Sequence, residues 1–304
     1  MSNTIDFLMK HKKDDGTFDV LHPITKVDNV KVSENIEVML NENLGSFKNG
    51  DVISADTPLD DVLRKLLQVQ KAPTYTAPSA SISLASGTKA GSYEIGSTIS
   101  PSLTGAFTQN DAGALTQIVI KKNDTEVATS ESSPVSYEDS FVIGATVTYK
   151  TTATYEEGPV KKDNFGDDYP TGHIAAGSVD SANHQYTCYR KYFYGADSVA
   201  TAPTTSANVR DLPTGSTAAA ANNTTFNLTI KKGQTRAVFA YPATLRDVSS
   251  VKYVEFNNDE SKSFFTKTTV DVEGADGYTA ASYKVYTYIP AQPFPSDMTF
   301  KVTI

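Results

Sequence analysis

From Ser81 onward the chain breaks into strand-like runs about every ten residues, and apolar side chains alternate with polar ones inside them. Phe226, Leu228 and Ile230 alternate with Asn227, Thr229 and Lys231. Phe300, Val302 and Ile304 do the same against Thr299, Lys301 and Thr303. A period of two is that of a strand with one face buried, so these stretches cannot be amphipathic helices. The chain has 16 Tyr and 14 Phe, and Gly and Pro are scattered between the runs as turn punctuation. A mainly β fold is the expectation.

The runs group into two β-sandwich domains. SISLA, YEIGSTISPSLTGAF, LTQIVIKKNDTEVATS, SYEDSFVIGATVTYKTTATY and HQYTCYRKYFYGA predict a seven-stranded immunoglobulin-like sandwich over residues 73–200. Within it Asn123-Asp124 is the signal for a hairpin turn. Residues 156–181, polar and glycine-rich, read as a long loop or protruding hairpin, the kind of segment that often makes contacts. A connector rich in Thr, Ala, Ser and Pro then opens a second sandwich over 201–304. Ile304 falls on its inward side, which predicts that it is pinned in the sheet.

One helix stands apart from this pattern. Thr57 predicts an N-cap, Pro58 the first helical position, and Asp60 and Asp61 an acidic first turn, over residues 57–72. Leu59, Val62, Leu63, Leu66 and Leu67 recur at i, i+3, i+4, i+7 and i+8, a single apolar stripe. A helix this short is marginal alone, so its stripe needs a cover. The preceding segment, residues 1–56, offers little: Val27, Val30 and Val32 are too few for a core. Such a segment is expected to fold against a partner or within an intertwined oligomer. Pro73 and the linker KAPTYTAPS separate the helix from the first sandwich. The stripe is therefore expected to meet its own symmetry mates around a three-fold axis.

Charge and motifs narrow the function classes. A net charge of −8 without a basic block argues against nucleic acid or an anionic membrane as partner. The single cysteine, Cys188, cannot form an intrachain disulfide and reads as a small strand residue. No apolar run reaches the ~18–20 residues of a membrane span, and MSNTIDFLMKHKKDDG lacks the order of a signal peptide, so a cytoplasmic origin is expected. His11, His22, His173 and His184 form no HxH or HExxH pair, and no nucleophile elbow, phosphate loop or dinucleotide fingerprint occurs. No enzyme and no cofactor are implied. Asp163, Asp167 and Asp168 in KKDNFGDDYP have the chemistry to attract calcium, although the EF-hand ligand order is missing and a solvated acidic turn is the expected reading. Tyr186, Tyr192 and Tyr194 would share one strand face with Cys188 and Arg190. They are candidates for a surface contact with sugar or protein if exposed, or for half-buried sheet tyrosines if not. Tyr283 is expected on one face of its strand, and Tyr286 and Tyr288 on the other.

The run DGTFDVLHPITKVDNVKV followed by LGSFKNGDVISADTPLDDVLRKLLQ resembles the N-terminal region of fibre proteins on tailed bacteriophages. Leu21, His22, Pro23, Ile24 and Thr25, with Asp56–Gln68, carry that resemblance. RAVFAYPATLRDVSSVKYVE and GYTAASYKVYTYIP are similar to a module of virion proteins from gut phages, the crAss-like group included. The resemblance implies a virion subunit, assembled in the bacterial host cytoplasm as a homotrimer. It would attach to a capsid or tail protein through Leu21–Thr25 and project outward. A short fibre on head or tail is the expectation. A tail adhesin recognising host surface glycan through the distal domain is the alternative.

Overall fold

The computed structural model describes residues 9–12, 18–21, 32–38, 45–256 and 259–304. Among them the protein is mainly β, with two short α-helices, and it divides into two compact units. The larger unit, Pro78–Asn110, Ala114–Glu156 and Ala176–Ile304, holds both sandwiches. None of the described helices is long and apolar enough to cross a membrane.

The first sandwich has seven main strands, β1 (Ser79–Gly87), β2 (Pro101–Thr108), β3 (Leu115–Lys122), β4 (Thr125–Ser130), β5 (Val135–Glu138), β6 (Val147–Tyr155) and β7 (His184–Tyr189), with shorter strands added to them, Gly177–Asp180 beside β6 among these. One sheet has the order β5-β2-β1 and the other β4-β3-β6-β7, all antiparallel. Gly91–Glu94 adds to the outer edge of β7 in parallel. Two antiparallel sheets exchanging strands in this order make an immunoglobulin-like sandwich. Alternation explains the core: Ile118 and Ile120 of β3 and Tyr149 and Ala153 of β6 all turn inward and are fully buried with Leu103. The expected hairpin forms at Asn123 and Asp124, whose φ angles of 48° and 66° are those of a two-residue turn matching strand twist.

The second sandwich consists of β8 (Lys191–Asp197), α2 (Ser206–Arg210), β9 (Thr214–Ala219), β10 (Thr225–Ile230), β11 (Arg236–Pro242), β12 (Ser250–Tyr253), β13 (Thr266–Val272), β14 (Ala281–Tyr288) and β15 (Met298–Thr303). A five-stranded sheet, β9-β8-β11-β14-β13, packs on a four-stranded one of β10, β15, β12 and the short strand Asp259–Glu260. Between them lies an aromatic core of Phe226, Phe239, Tyr241, Tyr286 and Phe300 with Leu228, Val251 and Val302. Each fully buried side chain of this size contributes about 1.5–3 kcal/mol. The five-stranded sheet is covered on its other face as well, where Val209 and Leu212 of the α2 region pack on Phe193, Val238 and Tyr283. Every residue of β11 is consequently buried. The expected parity holds, with Tyr283 in the outer cluster and Tyr286 in the inner core.

The boundary between the sandwiches differs from the expected 200/201. The run HQYTCYRKYFYGA is two strands, and the chain changes sandwich at Arg190. β8 pairs with β11, which commits Lys191–Asp197 to the second sandwich. Arg190 spans the step, its guanidinium donating to the carbonyls of Val272 (3.3 Å) and Thr279 (2.7 Å).

The smaller unit contains the described residues up to Ala77 together with Asp111–Gly113 and Glu157–Ala175. Met9–Lys12 pairs antiparallel with Phe18–Leu21, and Ile36–Glu37 with Val52–Ile53. The helix α1 runs Leu59–Leu67. Thr57 does not cap it: Pro58 occupies the cap position, and the Thr57 hydroxyl turns back to donate to the Ser54 carbonyl at 2.6 Å. Of residues 156–181, expected as a long loop or protruding hairpin of the first sandwich, 157–175 belong instead to this unit, where Lys161–Lys162 and Asp168–Tyr169 form a small hairpin, while Gly177–Asp180 is a strand paired with β6.

Candidate functional site

The helix is held by its polar side. The Ser46 amide donates to the Lys65 carbonyl (2.7 Å) and the Ser46 hydroxyl to the Gln68 carbonyl (2.8 Å), closing two of the orphan carbonyls at the helix C-terminus. Gly45 makes that approach possible. At φ +60°, an added Cβ would stand 2.3 Å from the carbonyl oxygens of Lys65 and Leu66. The ammonium of Lys65 reaches Asp167 on the hairpin at 3.2 Å.

The chain leaving the helix is strapped to the same hairpin. Gln70 donates to Asp163 (2.6 Å), the Lys71 amide to Asn164 (2.7 Å), and the Tyr75 hydroxyl to the Tyr169 carbonyl (3.2 Å). Lys161 bridges the Thr74 carbonyl (2.9 Å) and Asp111 (2.7 Å). Residues expected as a free connector are therefore fixed by polar contacts roughly ninety positions away in sequence.

Among the described residues the apolar stripe is less completely held. No residue of α1 is buried. Leu59, Val62 and Leu66 are half-buried, while Leu63 is 38% and Leu67 79% exposed, with Val69 beyond them at 66%. Phe47 and Ala112 are the buried apolar side chains among the described residues of this unit. A cavity of about 260 Å³ opens beside the helix, with Phe47, Val52, Ile53, Val62 and Phe165 among its lining. Among the described residues the stripe is thus covered only in part, with Leu63 and Leu67 left exposed.

The other candidate residues fall elsewhere. Leu21 lies in the paired strand Phe18–Leu21, and His22, Pro23, Ile24 and Thr25 lie outside the described residues. The three acidic residues of the hairpin do not converge. Asp163 is buried and accepts from the amides of Phe165 (2.8 Å) and Asp167 (3.1 Å) as well as from Gln70. The Gln70 bond leads the contributions that hold its carboxyl below the ordinary range. Asp167 pairs with Lys65 and Asp168 with Lys162 (3.2 Å). Among the described residues no group of three or more such side chains could hold a metal ion.

The three tyrosines do not share one strand face, and the alternative of an exposed contact surface fails with it, because they belong to two cores. Tyr186 is fully buried in the first sandwich, its hydroxyl donating to the Thr88 carbonyl at 2.8 Å. Burial pushes that hydroxyl up to about 12. Tyr192 is 9% exposed in the second sandwich, stacked on Tyr194 (ring centroids 5.8 Å apart) and against Phe226 (5.1 Å). Tyr194 is half-buried against the same Phe226 at 4.5 Å. Cys188 is half-buried too, and burial raises its thiol pKa.

A charge node that sequence reasoning missed joins the sandwiches. Glu94, 8% exposed, pairs with Arg210 (2.7 Å) and Lys191 (2.8 Å). Burial acts to raise its pKa, but the bonds to the two cations outweigh it and leave the carboxyl below its ordinary value.

No protein-family model matches the chain, and no curated protein matches it. A solved structure of Clostridium thermocellum CbhA fibronectin(III)-like modules is similar to it at 13% identity, over 73% of this chain and 93% of that one, with a TM-score of 0.23.

Proposed function

We propose that this chain is a structural subunit of a tailed-bacteriophage virion, a short homotrimeric fibre or spike. Its N-terminal segment docks on a capsid or tail protein, α1 joins three copies, and the sandwiches project outward. The observation that carries this reading is the helix itself. Its polar side is tied down by Ser46 and Asp167, yet none of its nine residues is buried. Three copies meeting along Leu59, Val62, Leu63, Leu66 and Leu67 would supply the missing cover. The resemblance of roughly the first quarter of the chain to phage fibre proteins supplies the biological setting.

Sedimentation of the intact chain tests the assembly. A trimer of 32.7 kDa chains is expected at about 98 kDa, and a single species at 32.7 kDa overturns it. Antibody labelling of phage particles tests the location: decoration of the head or tail is expected, and unlabelled particles overturn it. A second reading, an adhesin that recognises host surface glycan through the C-terminal sandwich, is favoured by the polar outward face of β10, β15 and β12.

A further inference from the structure

That outward face carries two lysines placed against each other. The register sets Lys252 of β12 directly across from Lys301 of β15, and Lys301 across from Asn227 of β10. The neighbouring row is Ser250, Thr303 and Thr225. Val251 and Val302 turn inward and are fully buried, so these rows turn outward, and both lysines are exposed. Side chains directly opposite on an antiparallel pair have Cβ atoms about 4.5–5.5 Å apart, and like charges there repel.

Elsewhere the protein neutralises such couples with a carboxylate of its own. Lys191 and Arg210 share Glu94. Lys267 and Lys284 share Asp247, at 2.7 and 2.9 Å. Lys121 and Lys150, also cross-strand partners, have Asp180 beside them, 2.9 Å from Lys150. Lys252 and Lys301 have no described carboxylate within ion-pair distance. Glu260, opposite Lys252 in register, directs its Oε1 to the amides of Val251 (2.9 Å) and Lys262 (3.0 Å). The couple is left for an anion from outside.

The surroundings say what kind. Lys252 and Lys301 line an open hollow of about 540 Å³ whose other walls are Thr225, Ser250 and Thr303. No apolar side chain lines it, so it lacks the anchors that make the centre of a protein interface. Two cations on a chain of net charge −8 do not make the track that a nucleic acid requires. Hydroxyls that both donate and accept, beside paired ammonium groups, complement a molecule carrying hydroxyls and a carboxylate together. We propose that this face binds an acidic oligosaccharide, with Lys252 and Lys301 on a uronate carboxylate and Thr225, Ser250 and Thr303 on ring hydroxyls. This rests on and deepens the glycan-binding reading, and the trimer does not depend on it.

Calorimetric titration of the intact protein with oligogalacturonate tests it, beside a neutral maltooligosaccharide and poly-glutamate as controls. Oligogalacturonate is expected to bind, more weakly as salt rises toward ~0.15 M, and the controls are not. Lys252→Gln/Lys301→Gln is expected to weaken binding at least tenfold. Lys301→Glu, which gives Lys252 a partner, is expected to abolish binding with Tm unchanged or raised, so that the loss is not misfolding. The proposal is overturned if oligogalacturonate does not bind, if the double variant binds as tightly, or if poly-glutamate binds equally well. A glycan array on the same protein distinguishes two failures. Glycan binding that survives in the double variant overturns this site but leaves the adhesin reading, whereas a blank array ends both.

Discussion

Leu67→Asp discriminates sharply between a helix that props its own unit and one that joins three chains. In the single chain Leu67 is 79% exposed, so removing it breaks no buried contact. Surface changes of that kind stay within about 0.5 kcal/mol of wild type. Around a three-fold axis the same residue is buried three times over. At about 1.5–3 kcal/mol per buried leucine, the assembly loses about 5–9 kcal/mol, before any repulsion among the introduced carboxylates. With about 1.4 kcal/mol per tenfold, association weakens by at least three orders of magnitude. A fibre held at micromolar concentration then runs as monomers in sedimentation equilibrium, while its circular dichroism and thermal unfolding keep the wild-type sandwich signal. Leu63→Asp, 38% exposed and one turn earlier on the same edge, should behave alike. If both variants sediment as wild type does, the stripe is not the junction and any oligomer is made elsewhere.

Three further outcomes follow from the packing. Glu94→Gln removes the charge that Arg210 and Lys191 share and should cost about 1–3 kcal/mol at neutral pH by urea unfolding. Because the folded carboxyl lies below its ordinary 4.5, its contribution is present above that pH and lost as pH falls through the lowered value. The variant should accordingly show a shallower acid limb than wild type, and an identical limb would refute the assignment. Phe300→Ala should cost about 3–5 kcal/mol in the same assay, since the ring is fully buried and packs on Phe265 at 5.3 Å and Tyr253 at 5.6 Å. Asp163→Ala should speed hydrogen exchange at the Phe165 and Asp167 amides while leaving β11 protected, and unchanged exchange there would mean the hairpin is held otherwise.

Face assignment was legible in the sequence wherever a period of two persists. Phe226, Leu228 and Ile230 are in the core, and Tyr283 and Tyr286 part to opposite faces, because alternation alone decides which side of a sheet a residue takes. Alternation does not say which sheet. The run through Arg190 keeps its pattern while the chain passes from one sandwich to the next, which is why Tyr186 and Tyr192 look like neighbours on one surface and are buried in separate cores. The hairpin of residues 157–175 escapes a reading from sequence for a related reason. Its attachments are single polar bonds such as Gln70 to Asp163, and long-range hydrogen bonds leave no periodic trace. Nor could register be read: Lys252 and Lys301 stand 49 positions apart in the chain and become opposite only once β12 and β15 pair. At Thr57 a correct residue type met the wrong competitor, the Ser54 carbonyl taking the hydroxyl that a cap would use.

The two sandwiches share more than a peptide bond, and the joint bears on what they can do. Arg190 alone links them along the chain, and one backbone hydrogen bond crosses between them, Ala275 donating to the carbonyl of Ile95 at 2.8 Å. Tyr278 of the second sandwich sits so close to the first that a Cβ on Gly96 would stand 2.4 Å from its own Cβ, and one on Gly144 would stand 2.2 Å from its hydroxyl. Gly96 is thus required, at φ +94° and against the Ala275 carbonyl as well, whereas at Gly144 the ring of Tyr278 could give way. With Glu94 neutralising Lys191 and Arg210 beside them, swinging one sandwich away would expose a carboxylate held by two cations and break the Ala275–Ile95 bond as well. The default for domains in one chain is relative motion across a small polar interface, and these contacts oppose it. The sandwiches thus complete their own cores and brace one another, whereas among the described residues Leu63 and Leu67 of the helix in the other unit stay exposed. Recognition by the outer sheet and assembly through α1 are then separable tasks, because the residues that would perform them carry none of the contacts that hold the sandwiches together.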